Sequence, residues 1–221
     1  FSSEQTADGN VQYSLSLQIL ALMTAVTLLP SLVLGMTSFT RIIIVLSILR
    51  QALGTQQTPP NQVLIAIALF LSFFIMQPTL TEVYNVALSP FLSETLPADQ
   101  AIMEASSVMK DFMVANTRSD TLLMFSDMAG ADGYESNADI PFSTLLPSFI
   151  TSELKTAFQI GFLLFLPFLV IDMVIASILM ALGMMMLSPM LVSLPFKLLL
   201  FVLVDGWAMT VGSLAATFLT P

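Results

Sequence analysis

Charged residues within or beside the long apolar stretches of this 221-residue chain include Arg41, Asp172, Lys197 and Asp205. An ionisable group in such a stretch is costly, so it usually has a task or a partner. Carboxylates there could relay protons or bind a cation, which would make the chain a small proton- or ion-coupled transport protein that uses Asp172 and Asp205. Alternatively, both acids are assembly contacts, satisfied by arginine or by backbone donors of this chain or a neighbouring one.

The spacing of the two acids predicts their depth. Asp172 lies sixteen residues before Ser188, and Asp205 lies sixteen residues after Pro189. In an antiparallel hairpin with its tip at this Ser-Pro pair, both carboxylates would lie about 24 Å from the tip, at 1.5 Å per residue. Two bare carboxylates at one depth would repel, so one is protonated or each has a separate partner. Lys197 is only eight residues from Pro189. It is therefore expected to miss Asp205 and to meet an acid of an adjacent subunit.

Three consecutive methionines, Met184, Met185 and Met186, stand where two apolar runs meet, Ile160–Leu187 and Met190–Leu219. Pro189 and Pro195 follow, and proline disfavours helix in the residue before it. The pattern predicts a long helical hairpin whose tip carries the methionines. Methionine is flexible, so the cluster could seal against shapes that vary, or it could fill a core. Three neighbours cannot share one helix face, and both interpretations stay open.

Composition excludes several functional classes. Hydrophobic residues make up 56% of the chain and charged residues 10%, which is typical of a membrane protein. The absence of cysteine and histidine excludes disulfides, thiol nucleophiles and Cys/His zinc sites. A Ser–Lys nucleophile with Lys155 or Lys197 is formally available, but no spacing favours it, and no nucleotide- or metal-binding motif predicts a cofactor. A net charge of −9 argues against nucleic acid as a partner. We therefore do not expect an enzyme.

The chain is expected to be an all-α membrane protein, with apolar helical hairpins and a water-exposed helical insertion. Four parts are predicted: a flexible tail at 1–13, left after removal of a signal peptide, apolar helices at 14–78, an acidic insertion at 79–155, and the hairpin at 156–221. Eleven acids lie between Glu82 and Glu153. Arg41 and Arg50 would place their connection in the cytoplasm and the insertion outside. Four membrane passes are expected.

Finer expectations follow from caps and breakers. They are a helix over Leu15–Met36, a helix ended by Gly54, a short run Val63–Met76 ended by Gln77-Pro78, an amphipathic helix over 97–113, a helix Ser119–Met128, a loop Ala129–Asp139, and a cap at Thr151 or Ser152. The short run would not span a hydrocarbon core of about 30 Å. We therefore expect homo-oligomers or partner complexes, not a stable lone chain.

Several long blocks of this sequence form a specific pattern. They include Thr37-Ser-Phe-Thr-Arg-Ile-Ile-Ile-Val-Leu46, Pro147-Ser-Phe-Ile-Thr-Ser-Glu-Leu-Lys155, Pro167-Phe-Leu-Val-Ile-Asp172, Met184-Met-Met-Leu-Ser-Pro189 and Leu194-Pro-Phe-Lys197. Together these blocks resemble the FliP family of flagellar biosynthetic proteins. The resemblance runs from about Leu15 to Leu219, with Ser148 where alanine is expected. The tail and the loop Ala129–Asp139 carry no such resemblance.

The resemblance implies a core channel-forming subunit of the flagellar type III secretion export gate. Several copies would assemble with FliQ, FliR and further export-apparatus proteins in the basal body, in contact with inner-membrane lipid and largely on the periplasmic side. Unfolded flagellar subunits would pass through the channel. Met184, Met185 and Met186 would then be its gasket. A purely structural scaffold for the export ring is a third interpretation.

Overall fold

The computed structural model describes residues 3–5, 11–13, 15–55, 57–131, 134, 136–184 and 186–219. Within these residues the architecture is all-α, as predicted, apart from one short strand pair near the N-terminus. The chain forms two units, Phe1–Gly35 and Met36–Pro221.

The first unit contains the strand pair and one helix. Strand β1 (Ser3–Gln5) pairs antiparallel with β2 (Val11–Tyr13), and helix α1 spans Leu15–Gly35. The predicted helix over Leu15–Met36 is thereby confirmed. The predicted tail of residues 1–13 contains the strand pair, and residues 1–2 and 6–10 lie outside the described residues.

The second unit is a set of helices around α2. Its helices are α2 (Phe39–Ala52), α3 (Asn61–Val83), a π-helix (Tyr84–Leu88), α4 (Ser89–Leu92), α5 (Ala98–Asn116), α6 (Ser119–Met128), a 3₁₀ turn (Asn137–Asp139), α7 (Phe142–Ala181), α8 (Pro189–Leu203) and α9 (Gly206–Leu219). Helix α2 ends before Gly54, whose φ of 77° provides the left-handed stop that the sequence predicted.

Prolines end fewer helices than expected. Breaks were predicted at Gln77-Pro78 and at Pro195, and both predictions are wrong, because each proline lies inside a helix. An interior proline removes one hydrogen bond, whereas ending a helix in apolar surroundings leaves several carbonyls without donors. The fourteen-residue run is consequently part of a continuous helical stretch, Asn61–Leu92, of 32 residues.

The main core lies where α2 meets three other helices. Its buried side chains are Ile42, Val45 and Leu46 of α2, Leu64, Ala68, Leu71 and Ile75 of α3, Ala157 of α7, and Leu214 of α9. Helices α2 and α7 approach closely at Gly161, where an added Cβ would lie 2.4 Å from Ile48 Cδ1. This close approach brings charged residues of α2 and α7 within reach of one another.

The acidic insertion is helical, and the two predicted helices are confirmed as α5 and α6. Helix α7 begins at Phe142, with Pro141 at its N-cap, so the predicted cap at Thr151 or Ser152 is wrong. Ser152 Oγ instead accepts a hydrogen bond from the Arg118 backbone N–H at 2.9 Å. Nearby, Lys155 Nζ donates to Asp120 at 2.7 Å, and this hydrogen bond lowers the pKa of the Asp120 carboxyl. These contacts fasten α6 to α7.

Two stretches among the described residues are long and apolar enough to cross a membrane, Asn61–Leu92 and Phe142–Ala181. The number rises to four if each of two bent helix pairs counts as one span. One of these pairs is α8 and α9, which meet at 63°.

Candidate functional site: the methionine loop and the buried charges

The loop between α7 and α8, residues 182–188, is named here the methionine loop. Gly183, with φ 72°, ends α7 in a Schellman motif, in which its N–H donates to Met180 O and the Met184 N–H donates to Leu179 O at 2.9 Å. Pro189 then opens α8 at its first turn, where a missing N–H costs nothing. The side chain of Met186 is fully exposed and that of Met184 is 43% exposed. Met185 lies outside the described residues.

A polar cluster joins the two arms of the methionine loop. Lys197 on α8 is 2% exposed, and its Nζ lies 2.6 Å from Asp172 Oδ2 on α7. The same Nζ donates to the Ala52 carbonyl at the end of α2, at 3.1 Å. Ser193 Oγ donates to Asp172 Oδ1 at 2.5 Å. One buried ammonium group therefore ties three helices together and also satisfies a carbonyl at a helix C-terminus.

The predicted partner of Lys197 was an acid of an adjacent subunit, but the structure pairs it with Asp172 of the same chain. The error came from placing the tip of the hairpin at Ser188-Pro189. Pro189 begins an arm and is not the tip. Asp172 lies nine residues before the end of α7, and Lys197 lies eight residues after the start of α8. Counted from the helix ends, the two residues are at matching depth.

The hydrogen bonds of this cluster are those of a structural ion pair and not those of an activated serine nucleophile. Ser193 is fully buried, and its hydroxyl donates to the carboxylate of Asp172 instead of to Lys197. Lys197 uses its protons on Asp172 and on the Ala52 carbonyl, so it acts as a charged donor. A lysine that activates a serine must accept a proton from it. The observed hydrogen bonds therefore give Lys197 a structural task.

Arg41 forms a second buried ion pair, one that joins α2, α7 and α9. Its Nε donates to Glu153 Oε2 at 2.9 Å, and its Nη2 pairs with Glu153 Oε1. Its Nη1 donates to Thr217 Oγ1 at 3.0 Å, and the guanidinium carbon lies 3.7 Å from the ring centre of Phe218. This bidentate geometry, with extra donors used, is what makes a buried ion pair tolerable.

Glu153 was predicted to lie in the water-exposed insertion, and its pairing with Arg41 was not predicted. Glu153 is in fact fully buried. A signal was present, because Glu153 continues a series at intervals of four residues on α7. The members of that series are Leu145, Phe149, Glu153, Ala157 and Gly161. Residues four apart share a helix face, so the acid had to point into the same interface as its apolar neighbours.

Asp205 lies at the elbow between α8 and α9. Its φ is 50°, in the left-handed region, and its backbone carbonyl accepts the first hydrogen bond of α9, from Met209. The next residue must be small, because a Cβ on Gly206 would lie 2.2 Å from the Phe201 ring. Phe201 also meets Trp207 edge to face, with ring centres 5.4 Å apart. The Asp205 carboxylate makes no hydrogen bond or ion pair with any residue that the structure describes.

We expect the effect of a substitution at Asp205 on stability to depend on whether the new residue tolerates a positive φ. Asp205→Asn and Asp205→Gly should leave the thermal stability of the chain in detergent unchanged, because both residues tolerate positive φ. Asp205→Val should lower it by about 1–2 kcal/mol, since a β-branched residue is strained there. Val204→Ala, one residue away, is the control. Equal stability of the Val and Asn variants would contradict the conformational role. The assembly contact predicted for Asp205 is a separate prediction, which requires Asp205→Asn to weaken a complex and not the chain.

Comparison with known proteins gives a consistent answer. Residues 22–214 match the FliP family. The chain is 77% identical to the flagellar biosynthetic protein FliP of Cereibacter sphaeroides over 210 residues, which is 95% of this chain and 70% of that protein. It is 52% identical to the Bacillus subtilis protein of the same name, over 93% of each chain. A relative from Buchnera aphidicola is 54% identical, and the match covers 56% of that longer protein. The chain belongs to the FliP family.

Proposed function

We propose that this chain is a channel-forming subunit of the flagellar type III export gate, through which unfolded flagellar subunits cross the inner membrane. As a member of the FliP family it is a flagellar biosynthesis protein and a component of the export apparatus; the channel is the proposed step. The observation that carries the proposal is the methionine loop. Met184 and Met186 are exposed on a loop whose two arms are locked by the Lys197–Asp172 pair. The flexible methionine side chains thus project from a loop whose two flanking helices are held together by an ion pair, and this ion pair is the fixed base of the loop.

That arrangement suits a seal around a changing cargo. An unfolded polypeptide presents side chains of every size in succession, and unbranched thioether chains can adapt to each of them. The fixed base keeps the loop in place while the side chains move. Copies of the loop placed around an axis would form the gasket, with Met185 as its third residue.

Exposed apolar surface supports assembly with further copies and with FliQ and FliR. Phe70 and Phe73 on α3 are 77% and 67% exposed, and Phe162 on α7 is 63% exposed. Exposed aromatic side chains on this scale require lipid or protein to cover them. We place the assembly in the inner membrane at the basal body, with much of it on the periplasmic side.

Replacing Met184, Met185 and Met186 together by alanine should open the seal. We expect cells that carry this variant to admit small ions and solutes several-fold faster, while secretion of flagellar subunits is partly retained. The measurement is solute entry into cells in which the complex has been shown to assemble. The matched control removes three methionines outside the loop, Met173, Met180 and Met190. Unchanged permeability in the triple loop variant would mean that the methionines only fill space.

The competing function, ion-coupled transport through Asp172 and Asp205, is tested by purification. A gate subunit should purify as a large complex with two other small apolar proteins. A carrier should transport an ion when reconstituted alone. The pairing of Asp172 with Lys197 and Ser193 favours the gate. A relay acid must be free to exchange its proton, whereas the Asp172 carboxylate is held by two hydrogen-bond donors. Transport by the lone chain, abolished by Asp172→Asn, would overturn the proposal.

A further inference from the structure

An apolar groove lies between the end of the long α3–α4 stretch and helix α5. It encloses about 370 Å³ and is lined by apolar atoms alone. One wall comes from Val83, Ala87, Leu88 and Phe91, and the other from Ala98, Ala101, Ile102 and Ala105. The spacing on α5 is that of a single helix face. Ile102 is 69% exposed, and its neighbours Leu92 and Met103 are 66% and 68% exposed, so apolar surface continues beyond the groove.

Four exposed acidic residues adjoin the lining of this groove in the sequence, and they are called its acidic rim. Glu82, Glu94, Asp99 and Glu104 each lie within three residues of a lining residue, and all four are exposed. No lysine or arginine occurs between Arg50 and Lys110, so nothing nearby in the sequence offsets these charges. The groove therefore combines an apolar lining with a negative electrostatic potential from the nearby carboxylates. Four carboxylates at its edge also make lipid chains a poor occupant, because charges are costly in hydrocarbon.

A second copy of this chain would bring more negative than positive charge to the groove, because its fifteen acidic residues outnumber its six basic ones and its net charge is −9. The chain has six basic residues, all in the described part. Arg41 and Lys197 are in buried ion pairs, Arg50 donates to Pro59 O and Asn61 Oδ1, Lys110 donates to Ala138 O, Arg118 donates to Gln159, and Lys155 pairs with Asp120. Because the chain as a whole is negative and two of its six cations are buried, a different protein is the better source of counter-charge for the acidic rim.

We propose that this groove binds an apolar helix of a different protein that carries lysine or arginine beside its apolar face. Ala98 to Ala105 span about 10 Å at 1.5 Å per residue, so roughly two turns of the partner helix would lie in the groove. Side chains at intervals of three and four residues would enter it, and the flanking cations would face the four carboxylates. Charge complementarity of this kind selects the partner and speeds its arrival. The inference rests on the proposed function in one respect, that the partner is another component of the export apparatus.

The test places a photo-crosslinking amino acid at Ile102 of the full-length chain, expressed in a flagellated host in place of the resident protein. The crosslinked peptide is identified by mass spectrometry. We expect a peptide from another protein that is apolar at the crosslinked residue and has lysine or arginine within about two helical turns. The double variant Asp99→Lys/Glu104→Lys should reduce the crosslink yield several-fold. The matched control, Asp127→Lys on α6 with the crosslinker still at Ile102, should leave the yield unchanged.

Crosslinks to a second copy of this chain, to lipid, or to nothing would overturn the inference. So would a crosslink yield that is unaffected by the double charge reversal. Recovery of the assembled complex and secretion by the Ile102 variant are measured alongside. If the complex assembles and secretes but the groove captures no basic segment, the inference fails while the proposed function stands. If the purified chain never enters a larger complex, the proposed function fails as well.

Discussion

Glu153→Gln should destabilise the protein by about 3–5 kcal/mol, the largest effect expected of any single substitution considered. The guanidinium of Arg41 would keep its buried position but lose the charge that balances it. Glutamine has an NH2 group in place of the second carboxylate oxygen, so one arm of the arginine fork would face a donor and lose its acceptor. The measurement is thermal unfolding of the full chain in mild detergent, together with its steady-state level in cells.

The control for this prediction lies on the same helix. Lys155→Gln removes an exposed charge two residues away and should change stability by less than about 1 kcal/mol. A double variant, Arg41→Met with Glu153→Leu, should recover much of the loss, because a well-packed apolar pair often replaces a buried ion pair at little cost. If Glu153→Gln is no worse than Lys155→Gln, the pair does not hold α2 against α7.

Lys197→Met should loosen the base of the methionine loop and impair the gate. The substitution leaves the Asp172 carboxylate without its cation and removes the donor to the Ala52 carbonyl. Because Asp172 keeps 28% exposure of its side chain, water can partly replace the lost contact, so the loss should be smaller than for Glu153. We expect faster amide hydrogen exchange at the end of α7 and the start of α8, and reduced secretion of flagellar subunits.

A double-mutant cycle separates a direct pair from two independent effects. Asp172→Asn and Lys197→Met should be non-additive, with a coupling free energy of about 0.5–3 kcal/mol. The matched control combines Lys197→Met with Asp205→Asn, for which additivity is expected. Additive effects of the first two variants would mean that the pairing contributes nothing to stability.

Local signals in the sequence were sufficient to predict some of the helices and where they end. Helix α6 has the predicted bounds, and α5 and the stop at Gly54 were also anticipated, because amphipathic spacing and a left-handed glycine are properties of neighbouring residues. The effect of a proline was predicted wrongly where the tertiary surroundings decide whether the helix continues through it. Pro78 and Pro195 lie inside helices that packing or apolar surroundings maintain.

The partners of the buried charges were harder to predict from the sequence. Arg41 and Glu153 are 112 residues apart, so only the packing of α2 on α7 brings them together. The pairing of Lys197 with Asp172 depends on where each arm of the hairpin begins. An error of a few residues in the position of the tip led to the prediction that Lys197 meets an acid of an adjacent subunit. The exposed methionines at the tip of the hairpin were predicted from their residue type and position alone. The Lys197–Asp172 pair that fixes the base of the loop was not predicted.

The aromatic contact at the elbow gives this protein a built-in optical reporter. The chain contains one tryptophan, and Trp207 meets the buried ring of Phe201 where α8 turns into α9. Its intrinsic emission therefore arises from a single known place and needs no label. A change in the angle between α8 and α9 would separate the two rings and alter the polarity around the indole. Fluorescence of the unmodified protein can thus follow the elbow in real time, during assembly or during passage of a cargo.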